Sequence, residues 1–332
     1  MRHSRRFGGV QDRHRGLQGS RRDEEGLKHM TDRPTVGFVG VGNMGWPMAA
    51  CLVKAGFTVN IADAKREVAN NFVQQIGGFA PDTLKELAGG SDVVVTMLPT
   101  SAIVERVLSG GDDNIFAGMK PGTIVIDMSS GVPSHTQRLA EQVAAMGGIM
   151  IDAPVSGGVP RAKTGQLAIM VGGPEDVIER MKPVLAAMGT SILRAGNVGA
   201  GQAVKALNNM VSTGGFLIGI EALLVGQRFG LDPGVMTDVL NAATGMNNST
   251  QKKFRQFVLS RKFDAGFTMG LLAKDLSIAM QIGRETGTAT PLSALVREIL
   301  VSAETMFGPN ADHTEMAKWC ERLAGDELNL KE

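Results

Sequence analysis

The sequence predicts an α/β fold, a doubly wound parallel sheet followed by an all-α domain. Three observations carry this. Up to about residue 195, short apolar runs bounded by Gly, Pro, Asp or Ser alternate with helical patterns. A glycine-rich turn directly follows the first run. Beyond residue 195 the short runs stop, and residues 199–230, free of proline, read as one long helix.

In chain order, residues 1–33 hold nine basic side chains against five acidic and show no apolar periodicity. Such a segment cannot bury enough apolar surface to offset its ordering entropy. It is expected to be a disordered basic extension, with translation beginning at Met30. The runs VGFV (36–39), TVNIA (58–62), VVVTM (93–97), TIVID (123–127) and IMID (149–152) are expected to be buried strands. Helical patterns between them, such as 44–54 closed by Gly56, imply right-handed crossovers in a parallel sheet. The domain is expected to cover 34–197. The long helix would extend about 45 Å at 1.5 Å per residue. Lys205, Asn208, Asn209 and Glu221 interrupt its apolar surface, which argues against a membrane span. With helical patterns at 233–243, 271–285 and 291–306, residues 198–332 read as a second, all-helical domain.

Composition excludes several functions. The chain has no tyrosine, so no tyrosine can serve as a proton donor. Cys51 and Cys320 cannot form a disulfide framework or a four-cysteine zinc site, and no clustered ligand set suggests a metal. After residue 33 the chain carries 25 basic against 28 acidic side chains, no footprint for nucleic acid. These features point to a cytoplasmic protein with neither membrane nor nucleic-acid partners.

Gly40, Val41, Gly42, Asn43, Met44 and Gly45 fit G-x-G-x-x-G between a strand and a helical pattern, and Asp63 ends the next strand. In that setting Gly40 permits the tight turn, Gly42 lets a pyrophosphate approach the backbone, and Gly45 lets helix and strand pack closely. The helix start supplies amides and a positive dipole. This specifies a Rossmann-like doubly wound parallel sheet domain followed by an all-α C-terminal domain. A carboxylate at Asp63 can accept both ribose hydroxyls and repels a 2′-phosphate, so NAD is expected; NADP stays possible because Lys65 and Arg66 follow.

Two further segments carry chemistry. Ser156, Gly157 and Gly158 follow a strand, either as a bare turn or as a cradle of hydroxyl and amides for a carboxylate. Lys205 and Asn209 lie four residues apart and share one face of the long helix. Such a lysine either snorkels to the surface or serves as a general acid/base with a pKa lowered by burial. His135 and His313 read as structural.

From Thr35 to about Leu330 the sequence resembles the β-hydroxyacid dehydrogenases, which include 3-hydroxyisobutyrate dehydrogenase and tartronate semialdehyde reductase. VGFVGVGNMGWPMA resembles the family's nucleotide signature and DAPVSGGVPRAKTGQL its substrate loop. GNVGAGQAVKALNN resembles its catalytic helix and FTMGLLAKDL its C-terminal cofactor-contacting segment. The resemblance implies that Lys205 exchanges the hydroxyl proton, Asn209 orients substrate or lysine, and residues 156–158 hold the carboxylate. It also implies that Lys274 closes over the cofactor while Met97, Leu98, Pro99 and Ser130 line the nicotinamide side. The expected activity is hydride transfer between NAD(H) and a short β-hydroxy acid or aldehyde acid, 3-hydroxyisobutyrate-like. Tartronate semialdehyde reduction is the alternative within the class, and a non-catalytic dinucleotide-binding module the alternative outside it. Polar residues 246–250 are expected near the distal end of the substrate. The long apolar helix suggests a homodimer or homotetramer.

Overall fold

The computed structural model describes residues 33–330. The expected extension over 1–33 and the proposed start at Met30 lie outside the described residues, apart from Arg33, which sits over the Phe57 ring.

Five parallel strands form the centre of the sheet: β1 (Val36–Val39), β2 (Val59–Ala62), β3 (Val93–Thr96), β4 (Ile124–Asp127) and β5 (Ile149–Asp152). Their spatial order is β2-β1-β3-β4-β5. Both faces are covered, so the strands read as near-continuous apolar runs rather than alternations, with Asn60 interrupting β2. Val93 and Val95 join the core beneath α1 (Gly45–Lys54) and α2 (Arg66–Gln75). Val94 joins the opposite core with α3 (Leu84–Gly89), α4 (Ser101–Ser109) and α5 (Pro133–Ala145). The chain reverses its winding between β1 and β3, which opens a crevice at their carboxyl ends.

Beyond the expected strands the sheet continues with β6 (Val155–Ser156), β7 (Leu167–Gly172) and β8 (Gly189–Gly196). Strand β7 runs antiparallel to β5 and β6 and parallel to β8. Helices α6 (Gly158–Lys163) and α7 (Glu175–Met188) connect these strands. Strand β8 is an edge with exposed residues on both faces, so it carries no apolar run to read.

The second half is helical. α8 (Ala200–Phe229) starts at Gly199 and stops at Gly230, both in the left-handed region with φ 91° and 104°. Around it pack α9 (Pro233–Ala242), α10 (Asn248–Lys252), a π-helical turn (Phe254–Leu259), α11 (Met269–Glu285), α12 (Pro291–Phe307) and α13 (Met316–Ala324). Phe216, Ile220 and Leu223 of α8 are fully buried against Phe254, Leu276, Leu300 and Met316. By length and composition α8 could cross a membrane, but half of its apolar window is buried inside this domain. That buried side is the core of a helical bundle, while Val211, Ile218 and Val225 lie exposed on the other.

Candidate active site

The glycine turn after β1 meets three separate steric demands. A Cβ on Gly40 would lie 2.4 Å from the Met97 carbonyl oxygen, and its φ is +98°. A Cβ on Gly45 would lie 1.8 Å from the Gly40 oxygen, so only glycine lets α1 pack this closely on the turn. A Cβ on Gly42 would meet nothing within 4 Å, leaving that backbone open to a ligand. No side chain caps the helix at Met44, so its first amides face the same opening. The Asp63 carboxylate accepts from the Val41 amide at 3.0 Å and the Lys65 amide at 3.0 Å. It therefore holds the turn in place, and each oxygen keeps a lone pair for a ribose hydroxyl. Asn43 is exposed on this turn. The open backbone, uncapped helix start and flanking carboxylate fit a dinucleotide.

Met97, Leu98 and Pro99 follow β3 across the crevice, and Ser130 follows β4. Lys274 of α11 reaches this wall, donating to the Ser130 carbonyl at 2.7 Å and the Pro99 carbonyl at 3.2 Å. Its Nζ also lies 3.3 Å from Asp275 Oδ1.

Lys205 lies in the second turn of α8 at the seam between the halves. Buried carboxylates fix the start of that helix. Asp152 accepts from the Gly199 amide at 2.6 Å and the Gln202 amide at 2.8 Å. Gln202 in turn donates to the Ser129 carbonyl at 2.8 Å and to Asp127 at 3.3 Å, and accepts from the Gly131 amide at 2.7 Å. Burial pushes the Asp152 carboxyl up to about 6 against those two amides, with Asp127 adding to the rise. Burial also raises Asp127, opposed by hydrogen bonds from Ser129 and Thr96.

Lys205 is 9% exposed and, among the described residues, its ammonium has no hydrogen bond or ion pair. Burial lowers its pKa below the ordinary 10.5; Asp275 opposes the shift and Lys274 adds to it. Asn209 is also buried and donates to Asp275 Oδ2 at 2.6 Å. Lys205, Asn209, Lys274 and Asp275 thus meet at one point.

Ser156, Gly157 and Gly158 end β6 beside β7, with Ser156 paired to Ala168. Helix α8 crosses β7 two residues further along, where a Cβ on Gly201 would lie 2.3 Å from the Met170 oxygen. Gly157 and Gly158 have φ of +132° and +65°, and the Ser156 hydroxyl makes no hydrogen bond among the described residues. Residues 246–250 run into the start of α10. Asn247 and Thr250 form a capping box, Asn247 accepting from the Ser249 and Thr250 amides and Thr250 from the Asn247 amide, while the buried Ser249 hydroxyl has no partner among the described residues. His313 is buried between Phe216 and Phe267. Burial lowers its pKa to about 4, with Lys253 adding to the shift. Among the described residues no group of His, Cys, Asp or Glu is arranged to hold a metal ion.

Sequence reasoning passed over Asp127, Asp152, Gln202 and Asp275. Asp127 and Asp152 end apolar strands and are register partners, a repeated I-D ending visible in the sequence.

Residues 35–198 match the family described as the NAD binding domain of 6-phosphogluconate dehydrogenase. Residues 199–320 match the family described as NAD-binding of NADP-dependent 3-hydroxyisobutyrate dehydrogenase. The chain is 36% identical over 290 residues to 2-(hydroxymethyl)glutarate dehydrogenase of Eubacterium barkeri, covering 87% of this chain and 96% of that one. The chain belongs to the β-hydroxyacid dehydrogenase family. This β-hydroxyacid dehydrogenase is also 39% identical over 277 residues to 3-hydroxyisobutyrate dehydrogenase of Pseudomonas aeruginosa, covering 81% and 91% of the two chains. Among solved structures, Mycobacterium tuberculosis 3-hydroxyisobutyrate dehydrogenase with L-serine matches with a TM-score of 0.81 at 32% identity, covering 87% and 99%. As a β-hydroxyacid dehydrogenase, the protein is an NAD(P)-dependent oxidoreductase acting on small hydroxy acids.

Proposed function

We propose that the protein interconverts a short β-hydroxy acid of the 3-hydroxyisobutyrate type and its aldehyde acid, with Lys205 as general acid/base. The observation that carries this reading is a buried, unpaired ammonium beside Asn209, at the seam facing the dinucleotide crevice. In its neutral form Lys205 accepts the proton of the substrate hydroxyl, and in the reverse direction its ammonium returns it. Ser156 and the amides of residues 157–158 receive the carboxylate, for which the free Ser156 hydroxyl is suited. Asn209 is held beside Lys205 by its bond to Asp275, its Oδ1 accepting from Asn208 at 3.3 Å, and orients the substrate or the lysine. The bound dinucleotide supplies the two-electron redox partner for the carbinol carbon. Residues 40–45 and 63 hold it on one side, and residues 97–99, 130 and 274 on the other. In this reading residues 34–197 form the dinucleotide domain and 198–332 the helical domain, with the cleft between them.

NAD is preferred over NADP. Asp63 repels a 2′-phosphate, and the Arg66 guanidinium is occupied by Asp82 at 2.7 Å and by the Ala80 and Pro81 carbonyls. The unpaired Cys51 and Cys320 fit a reducing, cytoplasmic setting. Assembly is as a homodimer or homotetramer.

Lys205→Ala is expected to lower kcat by about a hundredfold or more while NADH binding, followed by fluorescence, persists. A variant that keeps most of its rate would overturn the assignment.

A further inference from the structure

Lys253 stands between α10 and the π-helical turn, where its carbonyl accepts from both the Phe257 and Val258 amides. That doubled acceptance marks the change from α to π geometry. The half-buried ammonium lies 3.5 Å from Ser212 Oγ and 5.8 Å from the centre of the Phe216 ring. Ser212 follows Lys205 by seven residues, two turns along the same helix face, so Lys253 looks onto the stripe carrying Lys205 and Asn209.

This cation is poorly compensated. Among the described residues no carboxylate lies within ion-pair distance of it. The attracting carboxylate, Asp312, is already taken by the amides of Gly266, Phe267 and Thr314 and by the Thr314 hydroxyl. The ring of His313 is held near Phe267 and carries no negative charge. Burial lowers the Lys253 pKa to about 8, with Asp312 raising it and Lys205 lowering it, so the group remains largely charged at neutral pH. An ammonium withdrawn from water with one long hydrogen bond and a ring face is costly unless an anion joins it.

We propose that Lys253 is a specificity-determining residue that binds a second anionic group of the substrate, distal to the carboxylate held at residues 156–158. The substrate class is then a short β-hydroxy dicarboxylic acid, one carboxylate beside the carbinol and the other on a flexible arm. This rests on Lys205 as the acid/base and keeps the 3-hydroxyisobutyrate frame, with a carboxylate-bearing arm where 3-hydroxyisobutyrate itself carries its methyl.

The test compares 3-hydroxypropionates substituted at carbon 2 with methyl, carboxymethyl or carboxyethyl, on wild type, Lys253→Met and Lys253→Arg. Wild type is expected to favour a dicarboxylate over the methyl compound by about tenfold or more in kcat/KM. In Lys253→Met that ratio falls by about tenfold or more, chiefly through KM, and Lys253→Arg restores most of it. Calorimetry with 2-methylglutarate and isobutyrate, which lack the reacting hydroxyl, gives a readout independent of turnover. The dicarboxylate is expected to bind more tightly and to lose that advantage in Lys253→Met. Wild type favouring the methyl compound, or Lys253→Met leaving the ratio unchanged, overturns the proposal. Dicarboxylate binding that depends on Lys253, without turnover of any compound, leaves this inference standing and removes the reading of Lys205 instead.

Discussion

The base role proposed for Lys205 requires its charged form to be made costly; burial does this, while Asp275 restrains it. The sign of that restraint is testable. Removing the negative charge in Asp275→Asn favours neutral Lys205 further. The rise of oxidation rate with pH should therefore move to lower pH, read from the kcat/KM profile. A purely structural role for Asp275 would lower the rate without moving the profile. Lys205 and Asn209 were legible beforehand because four-residue spacing on a helix is a local relation. The Asn209–Asp275 bond spans 66 residues, and no local pattern announces such a partner. Lys253 was obscured similarly. It follows the polar stretch 246–250, whose Asn247 and Thr250 cap α10, and no local pattern sets it apart from Lys252.

At the scale of the element, the glycine turn separates two requirements that G-x-G-x-x-G merges. Gly45→Ala forces a methyl group onto the Gly40 carbonyl and should cost about 1–3 kcal/mol or more, measured by denaturant unfolding. Gly42→Ala meets open space and lies outside the left-handed region. It should change stability by no more than about 0.5 kcal/mol and weaken NADH binding by about tenfold or more. The five central strands could be read in advance because burial on both faces imposes a near-continuous apolar run. The short β6 and the exposed β8 lack that imprint; they exist through pairing with β7. Helix α8 was foreseen almost to its ends because glycines at 199 and 230 punctuate it.

For the whole molecule, the exposed side of α8 matters most. Val204, Val211, Ile218 and Val225 recur every seventh residue, and Val211, Val225 and Phe229 are 72%, 71% and 83% exposed. Val235 and Val239 of α9 and Leu292 and Leu295 of α12 add to this apolar surface. The spacing is that of helices packing side by side, and a patch of this kind needs cover. Placing charges there with Val211→Glu and Ile218→Glu should dissociate the proposed oligomer. Light scattering should then give a species near the 35.0 kDa chain mass.

The amide of Gln202 has a consequence for remaking this enzyme. One side chain at the root of α8 bonds to Asp127, Ser129 and Gly131, and its backbone amide to Asp152. A chimaera that grafts a new helical half onto this sheet must bring a matching glutamine. Without one, the buried Asp127, the Ser129 carbonyl and the Gly131 amide each lose a partner at the joint, three residues before Lys205, while the backbone amide at 202 still serves Asp152.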